Sequence, residues 1–295
     1  MSMNLKFGKA TAMMAMVISS ALLFTACGTS SGAPSATESD QDNAGGLTGT
    51  VTISGSTSVQ PLAQDLADIF NESEPNVNIE IQGGGSSQGI KDATDGVSDI
   101  GTSSRELKEE EKAGITEHII AYDGIAVVVH PSNPVTNLTS EQVQKIFKGE
   151  ITNWKDVGGA DKEILVVTRE EGSGTRSAFE ELMKLQEKKD DKTVSFIRSD
   201  ALVGDGNGAI KANIASKDNA VGYLSLGFVD NSIKKASLDG VECTVENIKN
   251  KSYAISRPFL ILTKGEVRPE VQVFLDFILG DKGQEIVGKS YITIK

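Results

Sequence analysis

The chain has 295 residues, a formal net charge of −12 and an apolar fraction of 38%, enough for sizeable cores and two domains of ordinary size. An acidic balance of this size excludes nucleic-acid binding through a basic surface. It also repels anions at long range, so an anion site in this chain has to rest on local dipoles and hydrogen bonds.

The N-terminus reads as an address. Lys6 and Lys9 form a charged start, residues 10–24 an apolar stretch too short to span a membrane, and Leu23-Phe24-Thr25-Ala26-Cys27-Gly28 a lipobox-like ending. Residues 1–26 are therefore expected to be a signal peptide. They carry two lysines and no acid, so removing them takes the charge from −12 to −14. Residues 27–47, rich in Ser, Gly, Ala and acids without apolar periodicity, read as a flexible tether. Cys243 is left without a partner, which predicts a packed thiol and no intramolecular disulfide.

Three strand-to-helix turns follow. The strand pattern of Gly49 to Ile53 runs into Ser54-Gly55-Ser56-Thr57-Ser58-Val59-Gln60-Pro61, and Leu62, Leu66, Ile69 and Phe70 then form one helical face. Pro61 suits a first turn, whose N–H groups lack intrahelical partners. The pattern of Val77 to Ile81 enters Gln82-Gly83-Gly84-Gly85-Ser86-Ser87 before a second helical run. Ile164 to Thr168 feeds Arg169-Glu170-Glu171-Gly172-Ser173-Gly174-Thr175-Arg176, and a third helical run begins at Ala178. A single Ser/Thr helix start is ordinarily an N-cap. Three hydroxyl-rich, glycine-flanked starts exceed what capping requires and point to an oxyanion cradle of converging helix ends, with Arg169 supplying charge and forked donors.

The remaining segments set the frame. Gly124 to His130 and Phe259 to Thr263 are continuous apolar runs of buried strands, and Val271, Phe274, Leu275, Ile278 and Leu279 mark a docked helix. His118 and His130 read as structural residues. No zinc or calcium spacing is present, and Gly83-Gly84-Gly85 lacks the Lys-Ser/Thr ending of a nucleotide P-loop, so no metal or cofactor is expected.

In order, Gly55-Ser56-Thr57-Ser58, Gly85-Ser86-Ser87, Asp99-Ile100-Gly101-Thr102-Ser103-Ser104-Arg105 and Arg169-Glu170-Glu171-Gly172-Ser173-Gly174-Thr175 resemble the motif series of the phosphate-binding proteins of bacterial phosphate ABC transporters. Ile146-Phe147-Lys148-Gly149 and Asn153-Trp154-Lys155-Asp156-Val157-Gly158-Gly159 resemble that family's central segment. The resemblance runs from about Gly49 to the C-terminus. It implies an α/β, two-lobed periplasmic-binding-protein-like fold of type II, each lobe a mixed sheet flanked by helices, with hinge strands between lobes that close on one phosphate ion. Residues 48–131 with 253–295 would form the first lobe and 132–252 the second. Cys27 becomes the lipidated first residue of a monomeric, non-enzymatic receptor on the outer face of the cytoplasmic membrane, delivering phosphate to a transmembrane permease.

Carried over residue by residue, Thr57 and Ser58, Ser86, and Arg169, Ser173, Gly174 and Thr175 match the family's ligand positions, and Ser56 adds a hydroxyl. Ser104 departs from the pattern, standing where the best-known members have an Asp that accepts the proton of hydrogen phosphate. Sulfate has no such proton, so selectivity here needs another carboxylate. Asp123 is the candidate for the ligand contact and Glu171 for orienting Arg169; Arg105 either faces the ion or pairs with Glu106 or Glu109. Two other readings stay open: a receptor for sulfate or molybdate, which uses the same donors, and a secreted phosphohydrolase, for which the chain offers neither metal clamp nor evident base.

Overall fold

The computed structural model describes residues 46–190 and 192–295. The signal segment, Cys27 and the tether as far as residue 45 lie outside the described residues. Strand β1 (Gly49–Gly55) leads through the first Ser/Thr loop into helix α1 (Gln60–Ser73), which buries Leu62, Leu66 and Phe70 and carries Pro61 in its first turn. Strand β2 (Val77–Gly83) lies parallel to β1 and turns into α2 (Ser86–Asp95), after which β3 (Ile100–Ser103) adds to the other side of β1. A long strand β4 (Ile115–Val129) follows, then β5 (Asn137–Leu138) and α3 (Ser140–Lys148), which is capped by Thr139 and stopped by the left-handed Gly149.

The next segment repeats the strand-to-helix theme. Strand β6 (Leu165–Arg169) precedes α4 (Gly174–Leu182), a hairpin of β7 (Gln186–Lys189) and β8 (Lys192–Ser195) intervenes, and β9 (Leu202–Gly204) precedes α5 (Gly206–Ser216). Strands β10 (Ala220–Ser225), β11 (Lys234–Lys235) and β12 (Ser237–Leu238) and helix α6 (Val245–Lys249) lead to β13 (Ser256–Lys264), and α7 (Pro269–Leu279) and α8 (Asp281–Val287) complete the chain.

Two apolar cores form on one continuous sheet of order β2-β1-β3-β13-β4-β10-β6-β9, with β11 also on β4. The first gathers Val51, Leu66, Phe70, Ile100, Phe259, Phe274 and Val287; Phe70 and Phe274 meet edge to face at 4.9 Å. The second gathers Val127, Phe147, Trp154, Phe179 and Tyr223, with Phe179 stacked on Tyr223 at 3.9 Å.

Strand β4 belongs to both cores. Its first part, through Gly124, pairs antiparallel with β13, and its second part, from Ile125, pairs antiparallel with β10. This explains the apolar run from Gly124: residues 125–129 are buried on both faces, whereas residues 115–119 are exposed or half-buried throughout. At the crossing, Tyr122 N donates to Ile292 O (2.9 Å) and Ile125 N to Ile255 O (3.0 Å). Gly124 leaves the space that Ile248 and Cys243 fill; a Cβ there would lie 2.8 Å from Cys243 Sγ. Burial, with a smaller push from Asp123, raises the Cys243 thiol to about 12, as suits a packed group with no disulfide partner among the described residues.

Helix α2 is placed by a small residue. A Cβ on Gly89 would sit 2.6 Å from Gly55 Cα and 2.6 Å from Thr102 O, so this helix lies directly on the backbones of β1 and β3. Alanine normally favours a helix over glycine by about 1 kcal/mol. Here the close approach reverses the sign: Gly89→Ala is expected to destabilise the fold by about 1–3 kcal/mol, read by chemical denaturation, and a more stable variant would refute this packing account.

Candidate functional site

The Ser/Thr loops gather at the carboxyl ends of parallel strands, where open α/β sheets place ligands. From the first lobe come the loop after β1, the start of α2 and the end of β3; from the second come the loop after β6 and the start of α5. Helices α1 and α2 have no side-chain cap, and Gly85 precedes α2 at φ +89°, a conformation that glycine adopts freely. Ser173 does cap α4, accepting from Arg176 N at 3.2 Å. The lobes touch: Ser87 N donates to Gly172 O at 3.1 Å, and a Cβ on Gly174 would collide with Ser86 Oγ at 2.2 Å and Ser104 Oγ at 2.7 Å.

The hydroxyls form two linked sets. Ser56 Oγ accepts from Ser58 N (3.2 Å) and Val59 N (3.4 Å) and donates to Ser104 Oγ (2.8 Å). Ser104 N in turn donates to Ser86 Oγ (3.0 Å), and the two hydroxyls lie 3.3 Å apart. Across the cleft, Ser58 Oγ lies 2.9 Å from Thr175 Oγ1 and accepts from Asn207 Nδ2 (2.9 Å) and Arg257 Nη2 (3.2 Å). Thr57 Oγ1 accepts from Arg169 Nη2 at 3.0 Å.

Two guanidiniums lie at the site, each with a carboxylate. Arg169 is 1% exposed and donates through Nε and Nη2 to Glu170 at 2.8 and 2.7 Å; its Nη1 is buried without a hydrogen-bond partner. Burial alone would raise the Glu170 carboxyl, but the hydrogen bonds and charge of Arg169, with the Gly206 N–H, outweigh it and hold the group below its ordinary range. Arg257 is 3% exposed, donates to Asp123 Oδ2 through Nε (3.4 Å) and Nη2 (3.0 Å), and reaches Ser104 O through Nη1 (3.1 Å). Burial pushes the Asp123 carboxyl up against the pull of Arg257. Asp123 Oδ1 and Ser225 Oγ are each buried without a hydrogen-bond partner.

Each expected residue has a definite place. Thr57, Ser86, Ser104, Arg169, Ser173, Gly174 and Thr175 come together, and Ser56 and Ser58 lie beneath them with their oxygens occupied by neighbours. Asp123 is one guanidinium removed, connected to the hydroxyls through Arg257. Glu171 is exposed, and Glu170 orients Arg169 in its stead, because Glu170 follows directly on the strand residue while Glu171 lies out in the turn. Arg105 pairs with Glu111 at 2.7 and 2.8 Å, and neither with Glu109 nor with the side chain of Glu106. Sequence reading missed Arg257 and Asn207. Arg257 is the second residue of β13, two residues before an apolar run, and Asn207 lies in the first turn of α5, in a glycine-flanked stretch without the hydroxyls of the other helix starts.

Comparison with known proteins places this geometry. A PBP superfamily domain matches residues 31–282. The phosphate-binding protein PstS of Borreliella burgdorferi is 34% identical over 243 residues, covering 80% of this chain and 87% of that one. That of Bacillus subtilis is 31% identical over 284 residues, covering 92% and 90%. The chain belongs to this phosphate-binding-protein family of the PBP superfamily. A Clostridium perfringens protein, described as a phosphate ABC transporter substrate-binding protein and solved with bound phosphate, superposes with a TM-score of 0.79 at 48% identity, covering 84% of this chain and all of that one. The two-lobed type II architecture of the superfamily thus accounts for the shared sheet and paired cores.

Within this family member, Glu170→Gln isolates the Arg169 pair. A carboxylate with a depressed folded-state pKa contributes stability above its unfolded value, near about 4.3, and loses it as pH falls through the folded value. The variant is therefore expected to melt earlier than the parent at neutral pH, with the gap closing below about pH 4. Thermal melts showing a gap independent of pH would deny the pair this role.

Proposed function

We propose that the protein captures inorganic phosphate outside the cell and delivers it to the transmembrane permease of an ABC transporter. The observation that carries this reading is Arg169 Nη1, a cationic donor buried without a partner on a guanidinium whose Nη2 reaches Thr57 in the loop that leads into α1. An unpaired buried donor of this kind calls for an anionic acceptor. The naming of the relatives, and the phosphate bound to the Clostridium perfringens protein, support orthophosphate as that anion.

In this reading Arg169, Thr57, Ser86, Ser104 and the first turn of α4 at Ser173, Gly174 and Thr175 surround the ion, while Ser56 and Ser58 hold those hydroxyls in place. Arg257 holds Oδ2 of Asp123, and Asp123 Oδ1, buried without a hydrogen-bond partner, is the carboxylate oxygen that accepts the proton phosphate carries and sulfate lacks. The lobes follow the division into residues 48–131 with 253–295 and residues 132–252, except that Ile125 to Val129, Tyr253 and Ile255 pack in the second core, and they close on the ion. The receptor is monomeric and performs no covalent chemistry, and lipidation at Cys27 holds it at the outer face of the cytoplasmic membrane. Among the described residues no helix is long and apolar enough to cross a membrane.

Calorimetric titration of the mature chain, unfolded and refolded to strip carried-over ligand, tests the reading. Phosphate should bind one to one and sulfate far more weakly; equal responses would make this a general oxyanion receptor, and silence toward phosphate would discard the proposal. Arg169→Ala should weaken phosphate binding by at least about a hundredfold, about 3 kcal/mol, and Thr57→Val by roughly tenfold. Asp123→Asn should narrow the preference for phosphate over sulfate, and an unchanged ratio would remove Asp123 from selectivity.

A further inference from the structure

We propose that Asn207 and Arg257 are positioning residues that fix the direction of the Ser58 hydroxyl and thereby make Thr175 a proton donor to the bound anion; this rests on the phosphate-binding reading of the same cleft. The argument starts at the Asn207 side chain, which is 1% exposed at the start of α5. Its Oδ1 accepts from Ser225 N at 3.1 Å. Turning the amide over would set an NH2 against that N–H, so Nδ2 must face Ser58 Oγ, 2.9 Å away.

Arg257 Nη2 is the second partner of Ser58 Oγ, at 3.2 Å, and a guanidinium only donates. Both lone pairs of Ser58 are then occupied. The Ser58 proton has to leave in the remaining direction, toward Thr175 Oγ1 at 2.9 Å. Either hydroxyl of that pair would serve as donor if the pair stood alone. Asn207 and Arg257 remove the choice: Ser58 donates and Thr175 accepts. Among the described residues Thr175 Oγ1 has no other hydrogen-bond partner, and its residue is 1% exposed in the uncapped part of the first turn of α4. Its own proton is thus turned out toward the anion.

The Ser104 side of the cleft differs. Ser104 Oγ accepts from Ser56, but between Ser104 and Ser86 either hydroxyl can be the donor. The cleft therefore has one side whose hydroxyl proton is directed at the ion and one side that can reverse. A protonated ligand oxygen is tolerated beside Ser104 and disfavoured beside Thr175, which sets how the ion sits.

A double-substitution cycle tests the wiring on the full chain, with phosphate as the titrant. Thr175→Val should weaken binding by roughly ten- to hundredfold and Asn207→Ala by roughly tenfold, since each removes the same charge-assisted bond wholly or in part. Asn207 Nδ2 also reaches Thr57 Oγ1 at the longer distance of 3.4 Å, but because its shorter bond acts through Ser58 and Thr175, the doubly substituted chain should bind within about threefold of Thr175→Val alone, while the shifts in thermal midpoint add. A purely structural role for Asn207 would give the same fold-loss in both backgrounds and overturn the inference, as would an Asn207→Ala chain that binds normally. If Asn207→Ala does not fold, Asn207→Ser carries the same cycle, since its shorter side chain cannot serve Ser225 and Ser58 together. Silence of the unsubstituted chain toward phosphate would overturn the phosphate-binding reading and this inference with it; strong binding with independent losses would overturn the inference alone.

Discussion

A guanidinium buried with one nitrogen unpaired is the interaction on which the rest of the site depends. Arg169 follows from β6 into a turn where Glu170 takes Nε and Nη2, Thr57 from the opposite lobe shares Nη2, and Nη1 is left without an acceptor. Such a group costs free energy in an empty protein interior and gains it back when an anion arrives. The surroundings keep the guanidinium in that state. Arg176 holds the Arg169 carbonyl through Nη1 at 3.0 Å, and Tyr223, whose hydroxyl burial drives up to about 12, stays protonated beside Thr168 at 2.8 Å.

Charge balance explains why such a site works in an acidic protein. Two guanidiniums and two carboxylates lie at the cleft, Arg169 with Glu170 and Arg257 with Asp123, so their formal charges cancel. A dianion is then attracted less by net charge than by oriented donors: uncapped helix starts, hydroxyls and one free guanidinium N–H. Directed hydrogen bonds act at contact distance, where the −12 of the chain is felt weakly, since exposed charges beyond a Debye length of about 8 Å are screened at physiological salt.

Much of this was legible in the sequence because local rules wrote it. The Ser/Thr-glycine loops between a β-branched run and a helical face name their own position, and the run from Gly124 to His130 reads as a strand buried on both sides. Arg257 and Asn207 were illegible for the opposite reason. Each does its work through contacts made across 199 and 149 residues of sequence, and nothing beside either residue signals such a partner. The choice between Glu170 and Glu171 was undecidable from composition alone. It turns on which of two adjacent acids still points along the strand, a matter of backbone direction at a single turn.

Arg257, which sequence reading missed, and Asp123, which it named, also lie where the fold is most sensitive to motion. Asp123 and Arg257 are register partners on β4 and β13, next to Gly124 and Ile125, where pairing passes from one core to the other. Arg257 reaches forward to Ser58 and Ser104 of the first lobe, and Asp123 faces Ser225 at the end of β10 in the second. Any rotation of one core against the other bends the sheet at this crossing and changes the environment of a buried ion pair, which tolerates loss of either partner poorly. Hinge and cleft thus share residues. Asn207 and Thr175 on one side of the cleft meet a Ser58 that Arg257 holds on the other, so the donor array is complete only while the two sides lie in contact, and any free energy that separates them opposes it.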